Sequence, residues 1–231
     1  MAMYHSRYFW QGEKIRLRGV RESDWEEWLD DFCDSDAIRL LSWGLELPPS
    51  PEMAKAAFAQ WADFKDSKSR IMFTIETLDE KPVGGINIHS KDEKNGTFSF
   101  GIRINRNHRR KGYGSEALRI LLRYGFYELR FQKCNSGCVH INEGSIWLHK
   151  SVGFVEEGRQ RRTIYTNGQY YDHILFGLTR EEFDENEVAY KTEKGCDGWF
   201  CGKKAILAKC GKGEFASLPQ VEVRKVGNPS I

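Results

Sequence analysis

The sequence has no apolar run approaching the roughly 18 uninterrupted residues that a membrane-crossing helix needs, and Met1 to Lys14 contain no apolar core of the kind that directs export. No membrane partner and a cytoplasmic location are therefore expected. Charge of one sign is also lacking. Against 35 Lys+Arg stand 33 Asp+Glu, a formal net charge of +2, too balanced for a dedicated nucleic-acid binder. Cysteine is sparse, six in 231 residues, far below the density of a disulfide scaffold, so reduced thiols are expected. Cys134 and Cys138 have no zinc-finger partners at the right distance, and Cys196, Cys201 and Cys210 are irregularly spaced, so no metal site is expected.

What is present is enough apolar sequence, 40%, to bury a core, in one domain or one domain with an appendage. Composition shifts once, near Asn186. Residues 186 to 231 are basic and glycine-rich, and are expected as a small appendage to a main domain spanning residues 1 to 185. Within the main domain, Lys14 to Arg18 reads as a strand and Glu22 to about Leu40 as one helix capped by Ser23. Ser50-Pro51 opens a second helix, with Met53, Ala57, Trp61 and Phe64 as its apolar face. Ile71 to Thr77, Val83 to Ser90 and Thr97 to Ile104 read as an antiparallel meander, and Ser115 to about Leu129 as a helix. Cys134 to Ile141 is a strand and Glu143 to Ser151 a short helix. Gly158 to Thr166 and Tyr170 to Thr179 form a hairpin around Asn167-Gly168.

Between the fourth strand and the long helix lies Arg109-Arg110-Lys111-Gly112-Tyr113-Gly114. A glycine-bearing turn into a helix lets backbone N–H groups converge on an anion at the positive end of the helix dipole, with basic side chains around it. The segment has neither the P-loop pattern nor the full dinucleotide fingerprint. On its own it reads equally as an exposed basic turn.

This Arg-x-x-Gly-x-Gly step resembles the acyl-CoA pyrophosphate loop of the GNAT superfamily of N-acetyltransferases, whose element order matches the one above. The stretch from Asn142 to Phe154, with Ser145, Leu148, His149 and Gly153, is similar to the family's Asn-x-x-Ala-x-x-Leu-Tyr-x-x-x-Gly-Phe. Val155 to Gly158 and Asn167 to Tyr170 resemble the spermidine and ribosomal-protein acetyltransferase branch. The resemblance implies an α/β fold with a mixed, mostly antiparallel central sheet, a splayed fourth strand and flanking helices. It implies acetyl-CoA as co-substrate, with Ile102 and Ile104 bonding the pantetheine arm, and Arg109, Arg110, Lys111, Gly112, Tyr113, Gly114 and Ser115 around the pyrophosphate. Asn142 and Ser145 would lie beside the cofactor arm, Asn142 alternatively or also serving as a helix N-cap.

Two positions depart from the family. His149 stands where many relatives carry the tyrosine that protonates the departing thiolate; imidazole can donate near neutral pH, or the ring can simply pack. Ser99 stands where the branch often has a glutamate, which removes the simplest base. A lysine-like amine at pH 7 then faces a deprotonation cost of about 4.6 kcal/mol, against about 1 kcal/mol for an α-amine. The segment from Trp43 to Pro48 resembles the aromatic and acidic loop of polyamine enzymes, with Trp43 and Glu46 as acceptor contacts, or with Trp43 as loop packing. The expectation is acetyl transfer to a primary amine (a protein N-terminus, a polyamine or another small amine) by direct attack in a ternary complex. A CoA-binding module without catalysis is the rival. A nucleic-acid binder using Arg106 to Lys111 is disfavoured by the balanced charge. Members of the family often pair, so a homodimer is an open expectation.

Overall fold

The computed structural model describes residues 8–63 and 70–194. The chain lays down strand β1 (Ile15–Gly19), helices α1 (Asp24–Phe32), α2 (Ser35–Ser42) and α3 (Pro51–Ala62), then strands β2 (Arg70–Thr77), β3 (Pro82–Asp92) and β4 (Thr97–Ile104). Helix α4 (Tyr113–Arg123), strand β5 (Lys133–Val139), helix α5 (Glu143–Val152), strands β6 (Val155–Thr166) and β7 (Gln169–Thr179), and helix α6 (Arg180–Lys194) follow. The seven strands make one sheet in the order β1-β2-β3-β4-β5-β7-β6. Every pairing is antiparallel except β4 with β5, which joins only Thr97, Phe98 and Ser99 to Lys133, Cys134 and Asn135. Past Ser99 the two strands part. The expected mixed sheet with a splayed fourth strand is the observed one.

Local chemistry accounts for most of these elements. The hairpin between β6 and β7 turns on Asn167 (φ 50°) and Gly168 (φ 75°), the two left-handed residues that a tight hairpin turn requires. Alternation along β4 turns Phe98 and Phe100 to one face, where they join Leu118, Leu121 and Leu122 of α4 and Phe176 of β7 in the main core. The other face carries a smaller cluster of Val20, Trp28 and Phe58, closed by α1 and α3. Beside it lies a buried ion network. Glu76 accepts from Arg16 (2.8 Å) and Arg18 (2.6 Å), and Arg18 reaches Asp24 with two bonds of 2.8 and 2.9 Å.

Three expectations are corrected. The single helix over residues 22 to 40 is two, because Asp34 caps α2 by accepting from Ala37 N–H (3.1 Å), while α1 starts at Asp24, directly after the capping candidate Ser23. On α3 the buried side chains are Ala54 and Phe58, which meets Trp28 edge-on; of the expected face Trp61 packs against Phe58 (centroids 4.9 Å apart), Met53 is exposed, and Phe64 lies outside the described residues. The helix after the glycine step starts at Tyr113 and closes in a π turn over Tyr124–Glu128, where a Cβ on Gly125 would collide with the Phe98 ring. Beyond Lys194, the expected appendage lies outside the described residues, and helix α6 runs unbroken through Asn186.

Candidate active site

The fork between β4 and β5 leaves backbone on both walls without a facing strand. Asn105 N–H donates to Val83 C=O (3.0 Å), so by strand alternation Gly101 and Arg103 also turn their backbone groups to β3, and Phe100, Ile102 and Ile104 turn theirs to the fork. On the opposite wall His140 N–H donates to Asp172 C=O (3.0 Å), which leaves the backbone of Gly137 and Val139 facing the fork.

One end of the fork meets the start of α4. Gly112 caps it at φ 85°, a left-handed conformation that glycine adopts freely, and no side chain caps the helix. The first intrahelical bond runs from Glu116 N–H to Gly112 C=O (3.2 Å), so the N–H groups of Tyr113, Gly114 and Ser115 precede the helical ladder. The Ser115 hydroxyl donates to Gly112 C=O (3.0 Å) and takes none of them. Arg110 and Lys111 are exposed beside this turn, and Lys14 Nζ braces it from β1's side by donating to Lys111 C=O (3.2 Å). Arg109 folds back instead, its Nε donating to Ile104 C=O (2.9 Å) with Asp34 3.8 Å from its guanidinium. A Cβ on Gly114 would stand 3.6 Å from Ile104 and 3.9 Å from Ile102, so the protein itself leaves room there. An open backbone edge leading to an uncapped helix N-terminus with basic flanks fits a pantetheine arm ending in a pyrophosphate.

On α5, Asn142 is the N-cap, its Oδ1 accepting from Ser145 N–H (3.0 Å). His149 is only 2% exposed. Its ring stacks on Phe176 (centroids 4.5 Å apart, planes 13° apart), meets Phe154 edge-on and lies beside Phe100. Nδ1 is 2.7 Å from Ser145 C=O, which only accepts, so the ring proton sits on Nδ1; Nε2, 2.8 Å from Ser136 Oγ, then accepts the serine proton. Burial pushes the imidazole down to about 4, and at neutral pH it is uncharged. Of the two expectations for His149, donor to the thiolate or packing residue, this geometry favours the second, because its single N–H is already bonded to Ser145 C=O.

The face of the sheet opposite α4 and α5 gathers the expected acceptor residue Trp43 with three that the sequence did not single out, Arg39, Asn87 and His173. Trp43 ends α2 at φ 60° and lays its ring 4.4 Å from that of His173 on β7. Arg39 of α2 donates to Thr166 Oγ1 (2.8 Å) and ties the same helix to the β6–β7 hairpin. Glu46 is exposed in the segment after α2. Asn87, on β3, and His173 border the fork. Their one legible sign was glycine inside strands, at Gly101 and Gly137, which marks close approach of another group. Among the described residues no cluster of three potential metal ligands occurs, and no helix is long and apolar enough to cross a membrane.

Residues 14–155 match the acetyltransferase (GNAT) domain. The SPbeta prophage-derived uncharacterized N-acetyltransferase YokL of Bacillus subtilis (strain 168) is 35% identical over 178 residues, 77% of this chain and 97% of that protein. Among solved structures, the spermidine N-acetyltransferase of Vibrio cholerae in complex with CoA and spermine superposes with a TM-score of 0.65 at 19% identity, covering 73% of this chain and 97% of that one. The ribosomal-protein-S5-alanine acetyltransferase of Vibrio fischeri gives 0.62 at 19% identity, over 75% and 97%. At these identities the two structures speak for the fold. The chain belongs to the GNAT acetyltransferase family, and its class is that of the acetyl-CoA-dependent N-acetyltransferases.

Proposed function

We propose that the acceptor is a primary amine of the α-amino kind, at the N-terminus of a peptide or protein, attacked directly in a ternary complex with no covalent enzyme intermediate. Acetyl-CoA supplies the activated acetyl group. The observation that carries the reading is the fork itself, an unpaired backbone edge that ends at the uncapped N-terminus of α4. The N–H groups of Tyr113, Gly114 and Ser115 would hold the pyrophosphate with Arg110 and Lys111, and Arg109 would position the loop through Ile104 C=O. Backbone N–H groups of Ile102 and Gly137 would orient the arm and polarise the carbonyl. His149 enters as a positioning residue that holds the Ser136 hydroxyl, with Asn142 and Ser145 fixing the helix that carries it. A thiol with a reference pKa near 8.5 leaves readily as thiolate, so proton return from solvent suffices.

The acceptor side supports an α-amine. Trp43, Asn87 and His173 offer no carboxylate to a polycation, and on the nearby β6 strand Arg161 and Arg162 add positive charge while Arg159 pairs with Asp172. An amine with a reference pKa near 7.8 needs only about 1 kcal/mol to reach its free form. A thiol-release assay with acetyl-CoA against N-terminal peptides, spermidine, aminoglycosides and free amino acids tests this. Peptides are expected to have the highest kcat/KM, and preferential turnover of spermidine would move the assignment to polyamines, with Glu46 as the cation contact.

A further inference from the structure

Two glycines face each other where the sheet forks. Gly101 lies two residues past Ser99 on β4 and Gly137 two residues past Asn135 on β5, and Ser99 with Asn135 is the last pair the strands share. Each glycine is overlain from the strand outside it. Asn87 of β3 pairs with Gly101, and its Nδ2 lies 2.9 Å from the place of a Gly101 Cβ. His173 of β7 leans diagonally across β5, so a Cβ on Gly137 would collide with its Nε2. Any larger residue at either position would push these side chains away from the fork.

Both side chains bring an unanswered atom. Asn87 Oδ1 and His173 Nε2 are buried and have no hydrogen-bond partner among the described residues. A buried polar atom left unpaired costs about 1–3 kcal/mol, and native proteins rarely tolerate one without a reason. With its ring proton on Nδ1, His173 Nε2 is a second acceptor beside Asn87 Oδ1 at the same opening, on the face opposite α4 and α5. Together they ask for a group that donates several N–H bonds.

We propose that Asn87 Oδ1 and His173 Nε2 bind the amino group of the acceptor at the fork, and that His173 is the base that takes its proton. The inference rests on the reading of the chain as an N-acetyltransferase acting on a primary amine. As the nitrogen lone pair forms the N–C bond, one N–H proton passes to Nε2. The C–S bond breaks with its electron pair leaving on sulfur, and the proton returns through solvent to the thiolate, giving amide and free CoA thiol. Burial lowers the His173 pKa, so the ring is a neutral base at pH 7. The groups facing it are Trp43 from α2, Gly137 and Val139 from β5 and Gln160 from β6, none of them charged. The adjacent Asp172 is held by the Arg162 N–H (3.0 Å) and by Arg159 (3.6 Å), and its own N–H donates to the His140 ring (3.0 Å).

The test uses the full chain with acetyl-CoA and the best amine from the panel. His173→Gln is expected to lower acceptor kcat/KM by roughly 10² and to abolish the acid limb of its pH profile, with acetyl-CoA affinity by calorimetry within about twofold. Asn87→Ala is expected to raise acceptor KM by about tenfold, more than it lowers kcat. Independently, proton NMR of the parent should give His173 a pKa below 6.5 that coincides with the acid limb. A His173→Gln variant with the parent's pH profile overturns the proposal while leaving the acetyltransferase reading intact. If that variant does not fold, an NMR pKa far from the limb overturns it equally. A parent that binds acetyl-CoA and acetylates no amine removes the underlying reading, and the proposal with it.

Discussion

At the scale of single residues, the positions that matter most are those where a side chain is missing or neutralised. Gly112 holds φ 85° at the start of α4, with Lys14 Nζ 3.4 Å from the place of its Cβ. Gly112→Val therefore strains the backbone that aims three N–H groups outward. Loss of acetyl-CoA affinity by at least tenfold is expected, whereas Gly114→Ala, with ordinary contacts and no positive φ, leaves the fold intact. Calorimetric titration with acetyl-CoA decides, and an unchanged affinity in folded Gly112→Val removes the cradle. His149 carries a second prediction. Its folded pKa of about 4 lies below the unfolded value near 6.5, so between these pH values the unfolded chain binds more protons. Stability from this group is complete above pH 6.5 and falls as pH drops toward 4, by roughly 3 kcal/mol in all. Urea midpoints measured from pH 7.5 to 4.5 should fall steeply for the parent and much less for His149→Phe. Equal slopes would mean the ring is not buried in neutral form.

At the scale of elements, turn chemistry and period were readable because they are local. Asn167-Gly168 named its hairpin, Ser50-Pro51 named the start of α3, and the three strands of the meander were found within a residue or two. What escaped were features set by partners remote in sequence. Asp34 looks like any acidic residue in a helical stretch, yet its carboxylate both caps α2 and accepts from Arg106 at 2.7 and 2.9 Å. Beside Arg106, its carboxyl is held below the ordinary carboxylate range. His173 meets Gly137 only through β5–β7 pairing, and no spacing rule connects them. The break at Asp34 is testable. Asp34→Ala should cost about 1–2 kcal/mol, mostly the lost cap, since the exposed Arg106 partner adds little. Asp34→Asn keeps the capping oxygen and should recover most of the loss. If thermal melts put both variants level with the parent, the cap does not hold α2 in place.

At the scale of the whole molecule, the nearly neutral charge hides a division, because residues 186 to 231 carry a net +3 and residues 1 to 185 a net −1. Every residue assigned to the cofactor lies before Gly158, so removal of residues 195 to 231 is expected to change acetyl-CoA affinity by no more than a few-fold. The cut must not be placed where composition shifts. Glu187, on the continuous helix α6, lies 2.5 Å from Arg119 on α4, with both side chains 11% exposed, and Arg119 also donates to Ser151 C=O (2.9 Å) on α5. A cut at Asn186 leaves the Arg119 cation without its buried counter-charge, a change that typically costs 3–5 kcal/mol, and it does so on the helix whose first turn forms the cradle. Scanning calorimetry should therefore show the chain ending at Asn186 melting well below the chain ending at Lys194, with the latter keeping the parent's acetyl-CoA affinity by titration. Equal melting of the two truncated chains would show that the Arg119–Glu187 pair does not hold α6 to the domain, and loss of affinity in the longer one would place part of the cofactor site after Lys194.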